Sequence, residues 1–257
     1  MKNDFLYRYV SFETFVGMIQ NKALTFVLPS VWDDPKEDLP FKQFIDKIES
    51  GSEMAFLIAA HNKTYAQSWS ELAESDAMWR IYAYNNRSLR IKVSQEKISR
   101  LNDVHIVPVE YSDEPFECEN NCTETLLSSL AYKRTAFCHE KEIRLISTYK
   151  FEDKQDAELH IKAVRMKYMN PKDPERIEML ESMFPEMELE DKLERLGKLL
   201  NIRDWRKETK DISYAHISNF IDGVMVHPLA PEWYVNVVQE FCSRNKIPFE
   251  GQSQLYK

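Results

Sequence analysis

Five glycines in 257 residues is the tightest constraint this chain carries. Phosphate loops of the Walker and dinucleotide-fold types need several glycines close together, because only glycine lets backbone N–H groups crowd around a phosphate. No such stretch occurs, and those enzyme classes drop out. If a nucleotide binds here, side chains do most of the gripping. The chain is nonetheless rich enough to pack: hydrophobic content of 43% and aromatic content of 12% exclude wholesale disorder. Its length fits one large domain or two small ones. A net charge of −8 provides no global positive field toward nucleic acid or an anionic membrane, which leaves only a local basic groove for such partners.

Residues 1–20 lack the basic start, apolar run and small-residue cleavage site of a signal peptide. No stretch approaches the ~18 apolar residues of a spanning helix. A cytoplasmic protein without membrane contact is expected. The cysteines are Cys118, Cys122, Cys138 and Cys242. Zinc would need a better second pair beside Cys118 and Cys122, for example with His139, so reduced structural thiols and no metal are expected.

Periodicity predicts a mixed order of elements. A strand over residues 5–9 leads to Ser11 as a helix N-cap, with Phe12, Phe15, Val16 and Ile19 at helical spacing. Ala23–Leu28, Tyr65–Ser70, Leu89–Val93, Val104–Tyr111, Glu142–Thr148 and Leu159–Val164 read as strands. Helices are predicted at the Phe41–Ile48 stripe, from about Ser75 through Tyr82, and over 125–135. Residues 169–210 are charged, carry Pro171, Pro174 and Pro185, and show the stripe Leu189, Leu193, Leu196, Leu200, which reads as a helical insertion. A strand at Val224–Val226, a helix with Trp233, Val237, Val238 and Phe241, and a strand at Ile247–Phe249 close the chain. The expected fold is a single α+β domain, residues 1–257, on a mixed or antiparallel sheet.

Three segments carry chemistry. In Leu6-Tyr7-Arg8-Tyr9, alternation sets Tyr7 and Tyr9 on one face and Arg8 on the other. Arg8 is either a solvated edge-strand arginine or a phosphate anchor, whose rigid fork of donors suits the task. In Gln67-Ser68-Trp69-Ser70, both hydroxyls share a face, as in a ribose site or an ordinary half-buried strand. In His139-Glu140-Lys141-Glu142-Ile143-Arg144, Glu140 and Glu142 share a strand face. Close carboxylates repel and split their pKa values, which is how acid–base pairs arise; the other reading is a solvated charge ladder with Lys141, Arg144 and His139. Asp33, Asp34 and Glu37 read as loop-capping residues rather than ligands. His216 and His227 read as core or loop histidines. A nuclease of the restriction type is excluded, because Lys141 adjoins Glu140 where an intervening residue is needed.

Leu6–Tyr9, the Trp32–Glu37 loop, Met78-Trp79-Arg80-Ile81-Tyr82-Ala83 and Glu140–Arg144, in that order, resemble the bacterial domain-of-unknown-function family 2971 over roughly residues 5–150. More distantly, the order Arg, Ser-x-Ser, Glu-x-Glu is similar to the arginine–serine–glutamate class of ADP-ribosyltransferases. That resemblance implies an ADP-ribosyltransferase-like fold and NAD as substrate. It implies that Arg8 binds the NAD phosphates, Ser68 and Ser70 position the ribose, Glu142 is catalytic, and Glu140 orients or deprotonates the acceptor. An aromatic among Tyr9, Trp79 and Tyr82 would stack on the nicotinamide. The implied partner is a macromolecular acceptor, RNA/DNA or protein, and a toxin or defence effector of this kind implies an antitoxin or regulatory protein. Arg203, Arg206, Lys207 and Lys210, and Lys162, Arg165 and Lys167, are the basic clusters that would track a nucleic-acid acceptor.

Overall fold

The computed structural model describes residues 4–32, 64–82, 86–116, 122–148, 172–188, 190–192, 194 and 208–256. The Asp33–Glu37 loop, the Phe41–Ile48 stripe, the Leu159–Val164 strand, the leucine stripe of the insertion beyond position 188 and every basic-cluster residue except Lys210 lie outside them.

β1 (Phe5–Ser11) runs into α1 (Phe12–Asn21), whose N-cap Ser11 accepts a hydrogen bond from the Thr14 N–H at 3.2 Å. Lys22 ends that helix in the left-handed region at φ 48°. β2 (Ala23–Val27), β3 (Tyr65–Ser70), α2 (Asp76–Tyr82), β4 (Ser88–Ser94) and the short α3 (Gln95–Ser99) follow. The predicted strand over Val104–Tyr111 is broken into β5 (His105–Pro108) and β6 (Glu110–Tyr111). Pro108 has no N–H for the ladder; Val109 N still bonds in register to Glu142 O at 3.0 Å, but Glu110 N turns to Ala131 O at 2.8 Å, so the chain leaves β8 for β7. The helix predicted over 125–135 ends early: α4 (Cys122–Ser129) gives way to β7 (Tyr132–Lys133), a 3-10 turn over Thr135–Glu140 and β8 (Glu142–Ser147). α5 (Pro174–Met183) starts with proline in its first turn and Asp173 as its cap, within the predicted insertion. β9 (Thr209–Ser213), β10 (Gly223–Val226), α6 (Glu232–Arg244) and β11 (Phe249–Gln252) complete the order.

The fold is α+β with a mostly antiparallel sheet, in the order β11-β10-β4-β1-β3-β2-β9, with β8 pairing β3 and β5. Only β10–β11 is a parallel pair in it; β6 and β7 form a small parallel sheet of their own. Register decides what each face does. Leu6 faces Val93, Val10 faces Leu89, Val224 faces Ile91, and Trp69 faces Ile143. These residues share one face, and Phe15 and Met18 of α1 with Tyr234, Val238 and Cys242 of α6 bury it as the main core.

The second face is divided. Ala66 and Ile146 pack under Leu126 and Leu130 at one place, and Tyr9 packs under Met78 and Trp79 of α2 at another. Polar residues occupy the space between: Ser70 lies opposite Glu142, and Ser68 opposite Arg144. One edge of β3 is paired with β8 along its whole length. Its other edge meets β1 at Tyr7–Ser70 alone and β2 at Val27–Ala66. From Ser70 back toward Ser68, and from Tyr7 on toward Tyr9, the strands β1 and β3 therefore part, and a seam opens between them.

Candidate functional site

A small open pocket of about 120 Å³ lies in that seam, lined by Tyr7, Arg8, Tyr9, Ser68, Trp69, Ser70, Met78, Tyr82, Glu140 and Glu142. Seven of the eight residues singled out from sequence meet in it. The eighth, Trp79, is fully buried behind the wall: its ring meets Tyr9 edge-on at 4.7 Å and its Nε1 donates to Glu74 Oε1 at 3.2 Å. Its faces are spent on packing, so of the three candidate aromatics only Tyr9 and Tyr82 border the pocket.

Arg8 lies opposite Ile91 in a regular register, so it stands on the core face, whereas Glu142 stands on the other. Both residues nevertheless line the same pocket in the seam. Arg8 is half-buried, and desolvation pulls its guanidinium down to about 10. Among the described residues it has no ion pair and no hydrogen bond.

The carboxylates are anchored on the opposite wall. Glu140 and Glu142 are both buried, but strand alternation does not bring them together. Only Glu142 lies in β8; Glu140 ends the 3-10 turn, and Lys141 between them takes φ 45° and swings outward. This left-handed residue turns both flanking side chains inward. Lys133 Nζ bridges them, 2.8 Å from Glu140 Oε2 and 3.1 Å from Glu142 Oε2. Arg144, with no exposed surface, donates from Nε to Glu142 Oε1 at 2.9 Å and from Nη1 to Leu130 O at 2.6 Å, and lies over the Trp32 ring at 4.2 Å. Burial by itself raises the Glu142 carboxyl; Arg144, Lys133 and the Ser68 hydroxyl outweigh burial and hold it at about 2. Glu142 is thus a carboxylate at any physiological pH.

The remaining polar groups divide by availability. Ser70 is spent on structure: its hydroxyl donates to Glu140 O at 2.6 Å and accepts from Leu72 N at 3.0 Å. Ser68 is exposed at the pocket, its hydroxyl beside the Glu142 carboxylate that it helps to hold ionised. Tyr82 is 44% exposed at the mouth, its hydroxyl donating to Glu140 Oε1 at 3.0 Å, and burial with the nearby Glu140 charge raises its pKa. Burial likewise pushes Tyr9 up to about 12; its hydroxyl sits beside the Ser75 backbone without a hydrogen bond of ordinary geometry.

The sequence missed Lys133, which lies in a stretch read as helix, and gave Arg144 only a place in a solvated ladder. A lysine and an arginine within ten residues of two glutamates was the available signal. Among the described residues no group of three or more His, Cys, Asp and Glu side chains is placed to hold a metal. Cys138 is exposed; Cys242 is buried, its thiol pushed up to about 11. His227 accepts from Leu229 N at 3.0 Å, and burial lowers its pKa. No described helix is long and apolar enough to cross a membrane. No protein-family model, curated protein or solved structure matches the chain.

Proposed function

We propose that the pocket binds NAD and that the protein transfers its ADP-ribosyl group to a macromolecular acceptor, as an effector of the toxin or antiviral-defence kind. The observation that carries this reading is one pocket lined both by Arg8, a half-buried arginine without an ion pair among the described residues, and by Glu142, a carboxylate held ionised by its cations. The order Arg, Ser-x-Ser, Glu-x-Glu, in which the chain resembles arginine–serine–glutamate transferases, supports it as well.

In the proposed reaction Arg8 takes an NAD phosphate, and the Ser68 hydroxyl meets the nicotinamide ribose. Tyr82 stacks on the nicotinamide at the mouth. The bond from ribose C1′ to the pyridinium nitrogen breaks, and its electron pair leaves with neutral nicotinamide. Glu142 stabilises the positive charge that develops on the ribose, without taking a proton. The acceptor nucleophile then bonds to C1′ and passes its proton to Glu140. Preorganised charge and positioning supply the acceleration.

A second reading, a non-catalytic nucleotide- or peptide-binding module, is favoured by one feature: both Glu142 oxygens already accept from Lys133 and Arg144. Incubating the protein with NAD labelled in its adenylate half and a cell extract separates the two. Transfer expects label on a macromolecule, abolished by Glu142→Gln and removed by either nuclease or protease, which identifies the acceptor. Free ADP-ribose alone would mean hydrolysis instead. Saturable NAD binding without reaction would leave the binding module, and absence of NAD binding would end the transferase reading.

A further inference from the structure

Lys133 is a buried cation that neither the resemblance nor the proposed reaction uses, and its surroundings give it a specific task. It sits at the end of β7, held by Ser112 N donating to Lys133 O at 3.0 Å and by the register that sets Tyr111 opposite it. Its ammonium is 4.6 Å from the centre of the Phe137 ring and touches a carboxylate oxygen of both Glu140 and Glu142. The groups around it come from each neighbouring element: Tyr82 from α2, Tyr111 from β6, Glu140 from the 3-10 turn, Glu142 and Arg144 from β8. Tyr82 donates to Glu140 Oε1, and the Tyr111 oxygen accepts from Glu142 N at 2.7 Å. Among the described residues the cluster thus sets two carboxylates beside two cations.

We propose that Lys133 is the positioning residue of this pocket, an ammonium clamp that holds the Glu140 and Glu142 carboxyl groups side by side at its wall. The identity of the pocket's ligand rests on the function proposed above; the clamp does not. The two cations are not equivalent. Of the two glutamates Arg144 grips only Glu142, through Nε at 2.9 Å and Nη2 at 3.4 Å. Glu140 has Lys133 as its only ion-pair partner among the described residues. Two carboxylates this close cannot both stay charged once the cation between them is removed. Because Arg144 still neutralises Glu142, the proton goes to Glu140.

The clamp is tested without any substrate. Side-chain carboxyl carbons of Glu140 and Glu142 are followed by NMR from pH 3 to 9 in the wild type, Lys133→Met and Lys133→Arg, with assignments fixed by Glu140→Gln. Loss of the lysine moves the Glu140 titration upward by roughly one to three pH units, leaves Glu142 ionised, and Lys133→Arg restores the wild-type curve. A Glu140 curve unchanged in Lys133→Met overturns the clamp, as does an upward shift at Glu142 instead. Should Lys133→Met not fold, Lys133→Met/Glu140→Gln provides the second arm. Removing the carboxylate with its cation restores a cooperative unfolding transition, whereas failure of the double variant to recover also overturns the proposal. If NAD proves not to bind at all, these readouts stand unaffected, so the two ideas fail separately.

Discussion

Arg8 shows how one side chain can reveal a site by what it lacks. A half-buried guanidinium with no partner among the described residues loses hydration without replacement, a cost that well-packed proteins avoid elsewhere. The neighbouring strand shows the contrast: Arg90 of β4, opposite Tyr9, is more deeply buried but bonds Ala73 O and pairs with Glu250 Oε2 at 2.5 Å, so it is structural. The expected consequence is a trade between stability and binding. Replacing Arg8 by Met keeps much of the length and removes the charge. It should stabilise the free protein by about 1 kcal/mol or more and weaken nucleotide binding at least about tenfold, the lower end for a charge-assisted phosphate contact. Chemical denaturation and calorimetric titration measure the two effects. A destabilised Arg8→Met would mean that the guanidinium has a structural partner and is not waiting for a ligand.

Elements were legible where one period persists. β1, β3 and β4 alternate over six or seven residues, and the positions of Arg8, Ser68 and Ser70 followed from that alternation. α1 was legible from its cap and stripe. The region 130–142 was not, because its pieces are too short to carry a period: two residues of β7, a 3-10 turn and one left-handed residue, all set by tertiary bonds rather than local preference. β9 escaped for a related reason, since its five residues alternate polar side chains around a single buried Ile212 and adjoin the charged insertion. The pairing of Glu140 with Glu142 was anticipated for the wrong local cause. It depends on Lys141 at φ 45°, a conformation in which a side chain costs roughly 1–2 kcal/mol. Glycine relieves that cost and gives back roughly 0.5–1 kcal/mol in chain entropy. Lys141→Gly should therefore be neutral to about 1 kcal/mol stabilising, with the pocket intact. A thermal melt that drops by several degrees would show that the Lys141 side chain itself holds the turn.

At the scale of the molecule, one face of the sheet carries the main core, and the other carries two small apolar clusters with the buried ion pairs of Glu140, Glu142, Lys133 and Arg144 between them. Glu142 is central to those pairs, and its folded-state carboxyl, at about 2, lies below the 4.5 of an unperturbed glutamate. A carboxyl depressed in the folded state contributes stability that is fully present above about pH 4.5 and is lost as pH falls toward 2. For a buried group shifted this far the contribution is a few kcal/mol. The wild type should therefore lose denaturant resistance steeply between about pH 4.5 and 2. Glu142→Gln should behave differently on both sides of that window. At pH 7 it leaves Arg144 and Lys133 buried with one carboxylate between them, which costs about 3–5 kcal/mol. Below pH 4.5 its curve should flatten, because the group whose protonation drives the loss is gone. Urea midpoints measured from pH 2 to 7 for both proteins test this directly. Parallel curves would show that acid acts elsewhere in the molecule and that Glu142 does not hold the second face together.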